Sequence, residues 1–163
     1  MNIAVMSDTH DHIWNLRSAL AIIKKERGEA IIHCGDFVAP FMLKELEAAA
    51  VPVHGVFGNN DGDRYQLTRM SLTLFKNITL YGFMGRVNLG GLEILFTHHR
   101  EVAEGSASSG IRQLVCYGHS HTYHQEKNGE TVLLNPGEIM GKDGSPGFCL
   151  VNSESLDIRR VEL

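Results

Sequence analysis

The sequence carries few of the features that hold small proteins together by cross-links. Its three cysteines, Cys34, Cys116 and Cys149, are an odd number without C-x-x-C spacing, which argues against a disulfide framework and against a zinc ribbon. Each lies in or beside a strand-like run and reads as a small buried hydrophobe. No apolar run approaches the ~20 residues of a spanning helix, and the run that starts at Met1 lacks signal-peptide architecture, so a cytoplasmic protein with no membrane partner is expected. Positive charge is also scarce: 15 Lys and Arg against 19 Asp and Glu give a formal net charge of -4. That balance leaves no electrostatic footprint for wrapping nucleic acid, and only 7% aromatic residues leave no basic, aromatic strand-binding groove. A nuclease is therefore disfavoured, while a nucleotide as a small substrate stays open.

What is present is ordinary globular material. The 163 residues, 43% hydrophobic with 17 glycines, suffice for one domain over 1–163. A chain of this length buries roughly two-thirds of its unfolded surface. Nothing in the composition decides between a monomer and a homo-oligomer.

The hydrophobic pattern begins with a buried strand over 2–7, then Ile13, Leu16, Leu20 and Ile23 at helical spacing, with Lys24, Lys25 and Arg27 in the last turn and Gly28 as the expected C-cap. A second strand over 30–34 precedes a helix with Pro40 near its first turn, and a third strand covers 53–57. This β-α-β-α-β order predicts a parallel sheet covered by helices. After a helical stretch over 64–71, strands dominate: 78–81, 92–97, 114–117, 122–126, 131–135, 148–152 and 156–163, with one weak helix over 101–108. Asn128-Gly129 marks a hairpin turn, and 141–147 reads as a loop.

Nine histidines stand out, most of them beside Asp, Asn or Gly just after an apolar run. Successive strand ends present Asp8 and His10, then Asp36, then Asn59, then His98, then His119 and His121. Alternate residues of an extended chain share a face, so Asp8-x-His10 and His119-x-His121 can each aim two donors at one point. In open α/β sheets, ligands bind beyond the carboxyl ends of the strands, where these residues lie. Two carboxylates, one carboxamide and four imidazoles exceed the needs of one tetrahedral ion, but serve two ions if one carboxylate bridges. Mixed oxygen and nitrogen donors suit manganese, iron, zinc, nickel or cobalt better than calcium, and affinity order alone does not choose among them.

The motifs Asp8-x-His10, Gly35-Asp36, Gly58-Asn59-x-Asp61, Thr97-His98 and Gly118-His119-x-His121, with His33 and Asn135-Pro136-Gly137, resemble the calcineurin-like metallophosphoesterases, in particular their small single-domain phosphodiesterase branch. The resemblance spans essentially the whole chain. It implies a four-layer α/β/β/α sandwich with mixed sheets and a dinuclear site. By it, Asp8, His10, Asp36 and His121 would hold one ion, and Asp36, Asn59, His98 and His119 the other, with Asp36 bridging. A hydroxide held between the ions would attack phosphorus in line, the substrate being a small phosphodiester. Phosphomonoester hydrolysis is the nearest alternative. A non-catalytic protein-binding scaffold of the retromer-subunit type is a second, which the full set of metal donors argues against.

The sequence departs from the fuller family pattern twice. Many members have Gly-Asn-His-Asp, whose His protonates the departing alkoxide; Asn60 stands there and cannot, which favours good leaving groups. His99 follows the metal-binding His98 where Gly is common, and His99 and His12 are candidates for a substitute acid. Asp61 is expected to orient an imidazole by hydrogen bonding, and His33 to act behind the ligands or in the core. Arg86 and Arg100 read as surface residues before phosphate contacts.

Overall fold

Strand and helix alternate through the first half of the computed structural model, which describes residues 1–110 and 113–163. Asn2–Met6 (β1), Ile13–Lys25 (α1), Ala30–His33 (β2), Phe41–Glu47 (α2), Val53–Gly55 (β3), Arg64–Thr73 (α3) and Ile78–Leu80 (β4) follow one another. The second half supplies Met84–Leu89 (β5), Leu92–Thr97 (β6), Arg100–Ala107 (α4), Leu114–Cys116 (β7), Tyr123–Asn128 (β8), Thr131–Pro136 (β9), Gly147–Asn152 (β10) and Ile158–Glu162 (β11). One six-stranded sheet has the order β11-β10-β1-β2-β3-β4, and a five-stranded sheet has the order β5-β6-β7-β9-β8. Both are mixed: β1 to β4 run parallel while β10 lies antiparallel to β1, and β6, β7 and β9 run parallel between antiparallel edge strands.

Side-chain alternation in β1 sorts the core into layers. Ala4 and Met6 face a cluster with Leu16 and Leu43 of the helices, whereas Ile3 and Val5 face Ile94, Phe96 and Leu134 of the other sheet. Strands covered on both sides read as continuous apolar runs, as β1 and β2 do. Ala103 and Ala107 of α4 close the far face over Leu95, Val115 and Leu133. The four layers expected from the resemblance are thus present. All three cysteines are free and buried in the layer between the sheets, and burial pushes the Cys149 thiol up to about 12, so they serve as apolar filling.

Three local expectations need correction. The sequence reading contained no strand at β5, because Gly85, Arg86 and Asn88 break its apolar alternation. The strand forms by pairing with β6 through a Gly90-Gly91 turn with positive φ at both residues, and Gly85 is required because a Cβ there would sit 2.1 Å from the Phe96 ring. At the end of α1 the left-handed residue is Arg27 (φ 55°), not Gly28. The Gly28 N–H bonds Ile23 O at 2.8 Å and the Arg27 N–H bonds Lys24 O at 3.2 Å, a Schellman closure. In the β8–β9 hairpin Asn128 pairs with Thr131, so the turn residues are Gly129 and Glu130, with Gly129 at φ 61°.

Candidate metal centre

The loops after β1 and β2 continue side by side beyond the sheet. Asp8 N–H bonds Gly35 O at 3.0 Å and His10 N–H bonds Asp36 O at 3.1 Å, while Gly118 N–H bonds His98 O at 3.1 Å in the other sheet. Asp8, His10, Asp36, His119 and His121 all have positive φ, between 40° and 69°. Non-glycine residues rarely occupy this region, and such strain clusters where surrounding bonds over-determine the backbone. The extended-chain alternation invoked for Asp8-x-His10 and His119-x-His121 is therefore not what aims them: left-handed turns do. Two glycines let the loops close. A Cβ on Gly58 would lie 2.1 Å from Asp36 Oδ1, and one on Gly118 would lie 2.0 Å from Ser7 Oγ.

All seven expected donors converge in two adjoining groups. In the first, His10 Nε2 lies 3.7 Å from Asp8 Oδ1 and 3.2 Å from Asp36 Oδ2, and His121 Nε2 lies 3.4 Å from Asp8 Oδ1. In the second, Asn59 Oδ1 lies 2.9 Å from His98 Nε2 and 2.8 Å from His119 Nδ1, and the two imidazole nitrogens are 3.3 Å apart. Asp36 Oδ2 touches both groups, at 3.2 Å from His10 and 3.5 Å from His98.

The surroundings fix these side chains. His98 Nδ1–H donates to Cys34 O at 2.8 Å, which leaves the Nε2 lone pair facing Asn59 Oδ1. Asn60 donates from its backbone N–H to Asp36 Oδ1 and from its carboxamide to Asp36 Oδ2, at 2.8 and 2.7 Å. Asp61 is buried and accepts the backbone N–H groups of Gly58, Val38 and Asp36 at 2.7, 2.8 and 3.0 Å. Its partners are amides rather than the imidazole expected, because the left-handed turn at Asp36 and Val38 directs those N–H groups inward. Buried His33 accepts Gly35 N–H at Nδ1, so its Nε2–H faces Thr9 Oγ1 at 3.2 Å, and Thr9 donates to Asp36 O.

Two residues that the sequence reading missed stand behind His121. Its Nδ1 lies 2.9 Å from Asp143 Oδ2 and 3.2 Å from Glu138 Oε2. Glu138 is fully buried and accepts the Asp143 and Gly144 N–H groups at Oε1. The available signal was an acidic residue inside the buried run 131–139, directly after Asn135-Pro136-Gly137. His12 instead caps α1, accepting Asn15 N–H at 3.2 Å, and Arg100 pairs with Glu104 at 2.7 Å. Arg86 is exposed on β5. His99 stacks on Phe83 with ring centroids 5.6 Å apart.

The electrostatics match the geometry. Burial would raise Asp36, but contacts with His10 and Asn60 bring it down to about 2, and His10 and His121 likewise hold buried Asp8 well below the carboxylate range. The Asp36 and Asp8 carboxylates raise His10 to about 9, and Asp8 raises His121. Burial lowers His33 to about 3 and, with the charges of His98 and His119, pushes His99 down.

Asp8 Oδ1 and His10 Nε2 are buried without a hydrogen-bond partner, and His98 Nε2 and Asn59 Oδ1 turn acceptor toward acceptor. A cation placed among them would satisfy the acceptors at Asp8 Oδ1, His98 Nε2 and Asn59 Oδ1 and replace the His10 proton, and carboxylate, carboxamide and imidazole together fit a divalent transition metal. Asp8, His10 and His121 form one cluster able to hold an ion, and Asp8, Asp36 and His98 an adjoining one.

Comparison with known proteins gives the same answer. The chain is 36% identical over 166 residues to the phosphodiesterase MJ0936 of Methanocaldococcus jannaschii, covering 100% of this chain and 99% of that protein. It superposes with a TM-score of 0.91 on the structure described as a novel archaeal phosphodiesterase, at 34% identity with 100% of both chains covered. Vacuolar protein sorting 29 from Cryptosporidium parvum shares the fold alone, with a TM-score of 0.70 at 16% identity over 99% of this chain and 97% of that one. Residues 1–155 match the family described as the calcineurin-like phosphoesterase superfamily domain. With fold, donor clusters and sequence in agreement, the chain belongs to the calcineurin-like phosphoesterase superfamily.

Proposed function

We propose that this chain, acting as one domain over 1–163, hydrolyses small phosphodiesters with two divalent cations, manganese foremost. Asp8, His10, Asp36 and His121 hold one ion, and Asp36, Asn59, His98 and His119 the other. The observation that carries this reading is the position of Asp36 Oδ2, 3.2 Å from His10 Nε2 and 3.5 Å from His98 Nε2, at the junction of the two donor groups. When bound, paired cations supply Lewis acidity for the phosphoryl oxygens and acidify water for in-line attack.

The chain's own residues prepare the site for that charge. Asp8 and Asp36 stay ionised at neutral pH because their pKa values are held low. Asn60 grips both oxygens of Asp36, one through its backbone N–H and one through a carboxamide N–H, and so fixes the shared carboxylate. With a carboxamide in that place, diesters whose leaving groups depart without protonation are favoured.

The test uses metal-stripped protein reconstituted separately with manganese, nickel or zinc and assayed on bis-p-nitrophenyl phosphate and p-nitrophenyl phosphate. Metal-restored cleavage of the diester is expected, falling by about a thousandfold or more in Asp36→Asn together with metal content. Two bound metals without cleavage of either ester would overturn the reading. Preference for the monoester would make the protein a phosphomonoesterase.

A further inference from the structure

A cavity of ≈ 430 Å³ opens directly beside Asn59. It is lined by Asn59, Phe57, Arg64, Phe83 and His99, with two glycines between them. Its volume lies in the range of about 300–1,000 Å³ typical of small-ligand pockets. Asn59 belongs to the second donor group, so the cavity and the proposed cation site share a wall.

Two features define what it accepts. Phe83 is 55% exposed, an apolar ring left at the cavity wall with its stacking partner His99 at 5.6 Å and an interplanar angle of 28°. Arg64 lies over the Phe57 ring at 5.7 Å, and its Nε and Nη2 donate to Asp61 O and Gly58 O at 3.0 and 2.7 Å. Those bonds hold the guanidinium as a fixed, flat cation, with two of its nitrogens committed to backbone carbonyls instead of serving as a phosphate fork. Aromatic faces together with a flat cation bind planar π-systems by stacking and cation–π attraction, and do so with little dependence on base identity.

We infer that this cavity is the subsite for a nucleobase, which makes nucleotide phosphodiesters the substrate class of the site. The inference rests on the proposed phosphodiesterase reading and deepens it. A phosphate seated at the donor clusters and a base on Phe83 would occupy adjoining spaces that share Asn59. The net charge of -4 disfavours a long nucleic acid.

The test is calorimetric titration of the manganese-reconstituted protein with AMP, phenyl phosphate and methyl phosphate, in the native chain and in Phe83→Ala and Phe83→Trp. AMP is expected to bind at least about tenfold more tightly than methyl phosphate, as loss of one base–aromatic stack costs that much or more. That ratio should fall to within about twofold in Phe83→Ala and survive in Phe83→Trp. No AMP binding, a ratio near one in the native chain, or a ratio unchanged in Phe83→Ala overturns the inference. Phenyl phosphate binding as tightly as AMP overturns the nucleobase assignment in favour of a general aryl site. Hydrolysis of bis-p-nitrophenyl phosphate is measured in parallel. A Phe83-dependent AMP preference without hydrolysis leaves the subsite standing and removes the phosphodiesterase reading.

Discussion

The two halves of the candidate centre differ in how many carboxylates they contain. Around Asp8 the donors include two buried carboxylates, Asp8 and Asp36, and behind His121 stand buried Glu138 and exposed Asp143. Around Asn59 the donors are one carboxamide and two imidazoles beside the shared Asp36, and His98 is fixed by a backbone carbonyl. Without a cation, the first half relieves its negative charge by holding protons, with His10 raised to about 9 and His121 raised as well. The second half keeps lone pairs turned toward one another. One half is thus expected to bind its cation tightly and in competition with protons, and the other to bind more weakly.

The largest test of this contrast removes one donor from each half. Asp8→Asn should lower bound metal below one ion per chain and reduce diester hydrolysis by about a thousandfold, whereas Asn59→Ala should retain one ion and lose about a hundredfold. Elemental analysis after dialysis, beside the rates, reads the difference. Equal metal loss in both variants would break the asymmetry.

A smaller effect probes the carboxylates behind His121. Residues that orient a metal-bound imidazole typically change metal affinity by about 10–100-fold, and Glu138→Gln should weaken only the tighter ion by an amount in that range. Competition with a chelator of known affinity separates the two ions. Weakening of the other ion alone would place Glu138 outside this role.

The smallest effect is on stability against pH in metal-free protein. His10 has a folded pKa of about 9, above its ordinary 6.5, so its contribution is full below pH 6.5 and is lost as pH rises through 9. His33 has the opposite sign: burial lowers it to about 3, so its contribution is full above pH 6.5 and is lost as pH falls toward 3. The Asp36 contribution is present above the ordinary carboxylate value and is lost as pH falls through about 2. Thermal melting with chelator present should therefore peak near pH 6.5, and added manganese should flatten the alkaline limb, because a cation replaces the His10 proton. An alkaline limb that manganese leaves unchanged would remove His10 from the first half.

Much of this was legible in the chain. Strands buried on both faces show as continuous apolar runs, and polar residues at their ends stand out because nothing in a core requires them there. Asp8, His10, Asp36, Asn59, His98, His119 and His121 were found for that reason, and the structure brings them together. Glu138 was not, since a carboxylate inside a buried run has no local pattern and its partner His121 is distant in sequence. β5 was obscured because its alternation is broken by a glycine whose need arises from Phe96 on the neighbouring strand. The aromatic cavity joins Phe57, Arg64, Phe83 and His99 from four separate segments, and no spacing announces it.

By itself the sequence determined the helix-covered first half and strand-rich second half, the strand ends and the donor types, because periodicity and residue chemistry are local properties of a chain. Tertiary structure decided which donors share a cation, which carboxylate stands between them and what lies beside them. Those depend on distances between loops from different strands, and on left-handed turns at Asp8, His10, Asp36, His119 and His121 held by hydrogen bonds and close contacts that form when the two sheets meet.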